Sequence, residues 1–196
     1  MVKLFPRFCI LTFFLFTASV LLGQQVEPRA EQPVIKVARM PEGSEISVDG
    51  RLDEAAWKLA EPITKFTQSD PRNGQSPTES TEIRMMFDQD NLYIGAELFD
   101  SNPDGILGNQ MVRDGFLSSD DRFIWVMDPY YDQRSGYYFE INPGGAMGDA
   151  QLVAAQGGNF GVTQNRAWDG IWLARVRTHD KGWTVEIEIQ IGRAHV

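Results

Sequence analysis

TEIRMMFDQDNLYIGAELF, residues 81–99, holds two strands and the turn that joins them. In residues 81–87, Ile83, Met85 and Phe87 share one face. In residues 91–99, Leu92, Ile94, Ala96 and Leu98 do the same. A period of two is the signature of a half-buried strand. Asp88, Gln89 and Asp90 form a connection short enough, and rich enough in turn-forming side chains, to make the pair an antiparallel hairpin.

The same pattern recurs on the C-terminal side. FIWVM, residues 123–127, is apolar on both faces, which predicts a central strand covered by a second sheet. Residues 128–136 turn it into a buried strand at 137–141. Residues 172–178 and 183–190 flank HDKG at 179–182 as another hairpin. In its second strand Trp183, Val185, Ile187 and Ile189 alternate with Thr184, Glu186 and Glu188, so Glu186 and Glu188 are expected to face water. Residues 142–165 are glycine-rich and predict a long loop, with one further strand at 150–155.

Before the first hairpin, a short strand is expected at residues 34–38 and a proline-bearing loop at 70–79. Between them lies VDGRLDEAAW, residues 48–57. Ile46 and Val48 alternate as a strand end, Asp49-Gly50 turns the chain, and Asp53 is placed to cap a helix over residues 53–60 that stops before Pro62. Trp57 would cover one end of a core. The fold expected is all-β, an antiparallel sandwich of jelly-roll or immunoglobulin-like type with one short helix near the N-terminus.

Lys3 and Arg7, the apolar block 8–22 and the polar Gln24-Gln25 have the layout of a secretory signal peptide over residues 1–23. About fifteen apolar residues fall short of the roughly twenty a membrane span needs. Residues 24–33 read as a linker, which leaves 34–190 as one domain. The only cysteine, Cys9, lies inside the leader, so neither a disulfide framework nor a thiolate zinc site is expected. Without the leader 16 basic residues face 27 acidic ones, a net charge of −11, which argues against nucleic acid as a partner. IGRAHV, residues 191–196, matches the translation of a common sequencing-adapter stretch, and is suspected to be a non-native tail on a chain that continues past Gln190.

Four strings, in order, resemble carbohydrate-binding module family 9: VDGRLDEAAW at 48–57, FDQDNLYIGAELFD at 87–100, SSDDRFIWVMD at 118–128 and GWTVEIEI at 182–189. YYFEINPGGAMGDAQL, residues 137–152, is similar to a subgroup in secreted bacterial proteins, in which such a module precedes a large β-rich region associated with the outer membrane. The resemblance implies a non-catalytic module that binds poly- or oligosaccharide, clamping a terminal sugar between two tryptophans. It further implies export to the periplasm, outer membrane or exterior of a Gram-negative bacterium, and a longer protein linked to polysaccharide catabolism, whose C-terminal remainder is a partner. The alternative is a structural or interaction domain in front of that remainder, with the sugar site lost. In this chain the loop at 113–120 offers Phe116 where the first tryptophan stands, Asn142 fits the polar pattern, and Ile124 and Glu140 replace a carboxylate and an arginine. A second tryptophan would lie beyond Gln190.

Residue chemistry adds candidates of its own. Trp168 and Trp172 flank Asp169-Gly170, and Trp168 is the better surface platform. Phe116 can stack on a sugar face or pin its loop to the core. Oxygen-rich turns at Asp88, Asp90 and Asp120 suit a structural calcium, which family-9 modules often hold, and turn formation by Asp accounts for them equally well. Glycosidase, serine-hydrolase and haem-binding constellations are not assembled by this sequence, so catalysis would reside elsewhere, with the module accessory to a glycoside hydrolase.

Overall fold

In the computed structural model, which describes residues 35–154 and 161–191, the alternating segments pair as their periodicity dictates. β2 (Thr81–Phe87) and β3 (Asn91–Phe99) form the first hairpin with Thr81 opposite Leu98 and Phe87 opposite Leu92. β8 (Trp172–His179) and β9 (Gly182–Gln190) form the second. β9 joins them antiparallel to β3, and β1 (Ala38–Arg39) adds parallel to β2, giving a five-stranded sheet of order β1-β2-β3-β9-β8. β4 (Phe123–Met127), β5 (Ser135–Ile141), β6 (Met147–Ala154) and β7 (Val162–Asn165) form a second, antiparallel sheet in chain order. The all-β sandwich expected from the alternation is the fold observed.

The inner faces of both sheets supply one core. Leu92, Ile94, Ala96, Trp183, Val185, Ile187, Ile189, Trp172 and Ala174 from the first sheet meet Phe123, Phe139 and Ile141 from the second. Each large apolar side chain so buried contributes on the order of 1.5–3 kcal/mol.

A second, smaller cluster of Met40, Ala56, Trp57, Ala60, Met86 and Tyr93 lies on the opposite face of the five-stranded sheet. It is built by the segment around Trp57, and here the structure departs from expectation. Ile46 and Val48 belong to no strand; the Ser47 N–H instead donates to Glu54 Oε1 at 3.1 Å. The helix is a 3-10 turn, Ala55–Leu59, begun by Glu54, with no side-chain cap from Asp53. A short 3-10 turn suffices because Trp57 is drawn onto the sheet, 1% exposed, with its indole N–H donating to Glu186 Oε1 at 2.9 Å. Gly95 makes the approach possible, since a Cβ there would lie 2.6 Å from Leu52 and 3.1 Å from the Trp57 ring. The expected turn at Asp49-Gly50 is present, with Gly50 at φ +88° and the Arg51 N–H donating to Asp49 Oδ1.

Four further expectations are corrected. The first strand begins at Ala38 instead of 34 and runs parallel to its neighbour; Val34 lies outside the described residues. β4 is an edge strand of the smaller sheet, so Ile124 and Val126 stand exposed rather than beneath another layer. The glycine-rich stretch 142–165 holds two strands, β6 and β7, with 155–160 outside the described residues. Glu186 is fully buried, because residues 48–57 cover it; Glu188 is half-buried.

Candidate functional site

Alternation along β5 points Tyr137, Phe139 and Ile141 into the core and leaves Tyr138 and Glu140 on the outer face of the four-stranded sheet. Register sets Ile124 opposite Glu140 and Val126 opposite Tyr138 on β4, and Gly148 opposite Glu140 on β6. Glu140 is only 1% exposed although it lies on an outer face. Its Oε2 accepts from Arg122 Nη1 at 2.9 Å and from the Tyr138 hydroxyl at 2.9 Å, and its Oε1 accepts from Arg166 Nη2 at 3.1 Å. The two arginine side chains remain 33% and 36% exposed. Burial, and then the adjoining Glu140 carboxylate, push the Tyr138 phenol up to about 12, so it stays a donor at neutral pH. Ile124 and Val126 beside this polar group are 41% and 56% exposed. The result is a surface of charged donors bordered by apolar side chains.

The segment leading into β4, residues 106–121, has no strand or α-helix, and buried polar groups hold it in place. Asn142, wholly buried, donates Nδ2 to the Gln110 carbonyl at 2.8 Å and to Asp120 Oδ2 at 2.7 Å, and its Oδ1 accepts the Ala146 N–H at 2.8 Å. Asp120 also accepts the Gln110 N–H, and that hydrogen bond above all holds its carboxyl below the usual range. Asp121 accepts the Leu107 N–H. Leu117 is buried, whereas Met111, Val112 and Phe116 project at 69%, 65% and 84% exposure. Asn142 therefore positions the loop that presents Phe116; its own amide is fully engaged within the protein.

A third cluster joins this loop to residues 166–170. Arg113 Nη2 pairs with buried Asp149 Oδ1 at 2.9 Å and lies 3.9 Å from Asp169, while its Nε lies 3.6 Å from Asp114. The Gly170 N–H donates to Asp149 Oδ2. Burial raises the Asp149 carboxyl, opposed by the Gly170 amide and the Arg113 charge. Trp168 is half-buried, stacked on Tyr137 at 4.6 Å and edge-on to Phe139 at 6.0 Å. The loops of Phe116 and Trp168 are thus linked through Arg113 and Asp169.

The expected calcium ligands are placed apart. Asp88 and Asp90 share the β2–β3 turn, where Asp88 Oδ1 accepts the Asp90 and Asn91 N–H groups and Oδ2 the Tyr93 hydroxyl. Asp120 anchors the loop before β4. The Asp88 and Asp120 carboxylates are each occupied by hydrogen-bond donors, as turn and loop anchors are. Asp114, Asp149 and Asp169 do converge, their oxygens within 4.8 Å of one another, but the Arg113 guanidinium already supplies the balancing positive charge. The polar set around Glu140 is what sequence reading missed. Its one signal is a charged residue inside the apolar strand YYFEI, with arginines next to the two outer strands of the same sheet, Arg122 before β4 and Arg166 after β7.

Comparison with known proteins places the fold. A scan of family models and a search of curated sequences returned no match. A carbohydrate binding module family 9 structure from Caldicellulosiruptor kristjanssonii, in complex with cellotriose, aligns over 82% of this chain and 70% of its own, with 17% identity and a TM-score of 0.50. A candidate carbohydrate-binding protein from Bacteroides uniformis aligns over 79% of this chain and 71% of its own, with 12% identity and a TM-score of 0.55. The chain has a family-9-like fold.

Proposed function

We propose that the domain is a non-catalytic carbohydrate-binding module and that the outer face of the four-stranded sheet, with the loop 106–121, is its binding surface. The observation that carries this reading is the contrast between buried Glu140 and the half-exposed donors it orients, Arg122, Arg166 and Tyr138, beside the exposed apolar Ile124 and Val126. Fixed polar groups next to apolar surface are what a sugar needs, since its ring presents hydroxyls at the rim and C–H groups on the face. Phe116 supplies a freely exposed ring for stacking and Asn142 holds the loop that carries it, whereas Trp168, packed on the inward-facing Tyr137 and Phe139, lies outside this face. The solved neighbour bound to cellotriose supports the assignment of the ligand class.

In this reading the module is exported by residues 1–23 and serves a longer protein concerned with polysaccharide breakdown, with the chemistry performed elsewhere. Calorimetry of the full-length chain against xylo-, cello- and gluco-oligosaccharides, with and without calcium, tests it. Saturable heat is expected, weakened about tenfold by Phe116→Ala. A folded protein silent toward every saccharide overturns the reading in favour of a structural domain that positions an outer-membrane-associated region.

A further inference from the structure

Glu140 holds more positive charge than its burial requires. One guanidinium would balance one carboxylate, and a buried ion pair is already costly to desolvate. Here two arginines, from the residue before β4 and the residue after β7, converge on the same carboxyl, and a tyrosine hydroxyl joins them. Each guanidinium gives Glu140 a single hydrogen bond, through Arg122 Nη1 and Arg166 Nη2. An arginine carries five N–H donors. Among the described residues, no other hydrogen bond or ion pair engages either one. The acidic neighbours of Arg122 in sequence are turned elsewhere, Asp120 to Gln110 and Asn142, and Asp121 to Leu107. The patch is therefore locally cationic, two charges against one, on a chain whose net charge is −9.

We propose that Arg122 and Arg166 form a carboxylate-recognition site held in position by Glu140, and that the saccharides this module takes are uronate-bearing. The inference rests on the carbohydrate reading above and names the class of sugar for the same face. Glu140 is a positioning residue: it fixes both guanidiniums from beneath and leaves their remaining donors, each on a side chain about one-third exposed, to grip an incoming carboxylate. Planar guanidiniums are the preferred partners of carboxylates, and charge-assisted hydrogen bonds are about twice as strong as neutral ones. Ile124 and Val126 on the same face then meet the apolar side of the sugar ring.

The test compares ligands that differ only in charge. Calorimetry on the full-length chain would use a galacturonate trimer against its methyl ester, and a glucuronate-branched xylo-oligosaccharide against xylotriose, with acetate as a separate titrant. The acid forms are expected to bind at least about tenfold more tightly than their neutral counterparts, an advantage that shrinks as salt is raised to about 0.5 M. Because Arg122→Gln or Arg166→Gln alone leaves the other guanidinium paired with Glu140, the key variant is the triple change with Glu140→Gln, which removes the charges together and should abolish the preference. Equal affinity for acid and neutral forms overturns the inference and leaves the carbohydrate reading standing. Acetate binding as tightly as the trimer overturns the assignment to a sugar. Heat from no ligand in this panel or in the neutral screen overturns both readings.

Discussion

Two glutamates on outward faces of the sandwich are equally buried and differently satisfied. Glu186, on β9, takes the Asp49 and Gly50 N–H groups on Oε2, both at 2.9 Å, and the Trp57 indole on Oε1. Glu140, on β5, takes two arginines and a tyrosine. The donors of Glu186 belong to a chain segment that lies over the sheet and adds a hydrophobic cluster of its own. The donors of Glu140 are side chains still open to water. One face is closed by the chain itself and the other is left uncovered by the described residues, which is why the first reads as architecture and the second as a binding surface.

The difference predicts a graded response to substitution. Trp57→Ala removes the keystone of the covered face and should destabilise the domain by about 3–5 kcal/mol, measured by denaturant unfolding. A loss below about 1 kcal/mol would mean that the segment rests on the sheet without closing it. Glu186→Gln keeps the shape but turns an amide donor toward the Trp57 or backbone N–H groups, for a loss of about 1–3 kcal/mol.

The pH dependence of that second variant sharpens the contrast. Burial, reinforced by Glu54, raises the Glu186 carboxyl above its ordinary value of 4.5, opposed by the donors of Trp57, Asp49 and Gly50. The folded state thus holds this proton more tightly than the unfolded chain, so its contribution favours folding at low pH and is lost as pH rises through the folded-state value. Wild type should accordingly lose stability relative to Glu186→Gln as pH increases from about 4 to neutrality, narrowing the gap between them. Asp149 and Glu188 are also raised, chiefly by burial, but they are common to both proteins and cancel in the difference. A gap that widens with pH would contradict the assignment.

Glu140→Gln should cost only about 1 kcal/mol, because the arginines it releases regain water. Asp53→Ala should change stability by less than about 0.5 kcal/mol, since the 3-10 turn makes no side-chain cap.

The hairpins were legible because their alternation is strict and their turns short: β2, β3 and β9 lie within a residue of where Ile83, Leu92 and Trp183 imply. β7 was not, since all four of its residues are exposed and an uncovered edge strand carries no hydrophobic period. Alternation placed Glu186 on the outer face correctly but could not show that residues 136 positions earlier would cover it. Ile124 and Val126 made β4 look central when they form surface. Of the candidate site, the exposed ring of Phe116 is one of the two placements its loop position allowed, the other being a pin into the core. The internal use of Asn142 could not be anticipated, because its partners Gln110 and Asp120 come together with it only in the fold. The same holds for Arg122 and Arg166, which meet at Glu140 through strand register.

Hydrogen–deuterium exchange of the full-length chain, with and without saturating galacturonate trimer, tests the division between closed and open faces most directly. Added protection confined to β4, β5, the loop 106–121 and the segment around Arg166, with residues 48–57 and β9 unchanged, is the predicted result. Protection at residues 48–57 and β9 instead, or protection nowhere while binding heat is released, would contradict it.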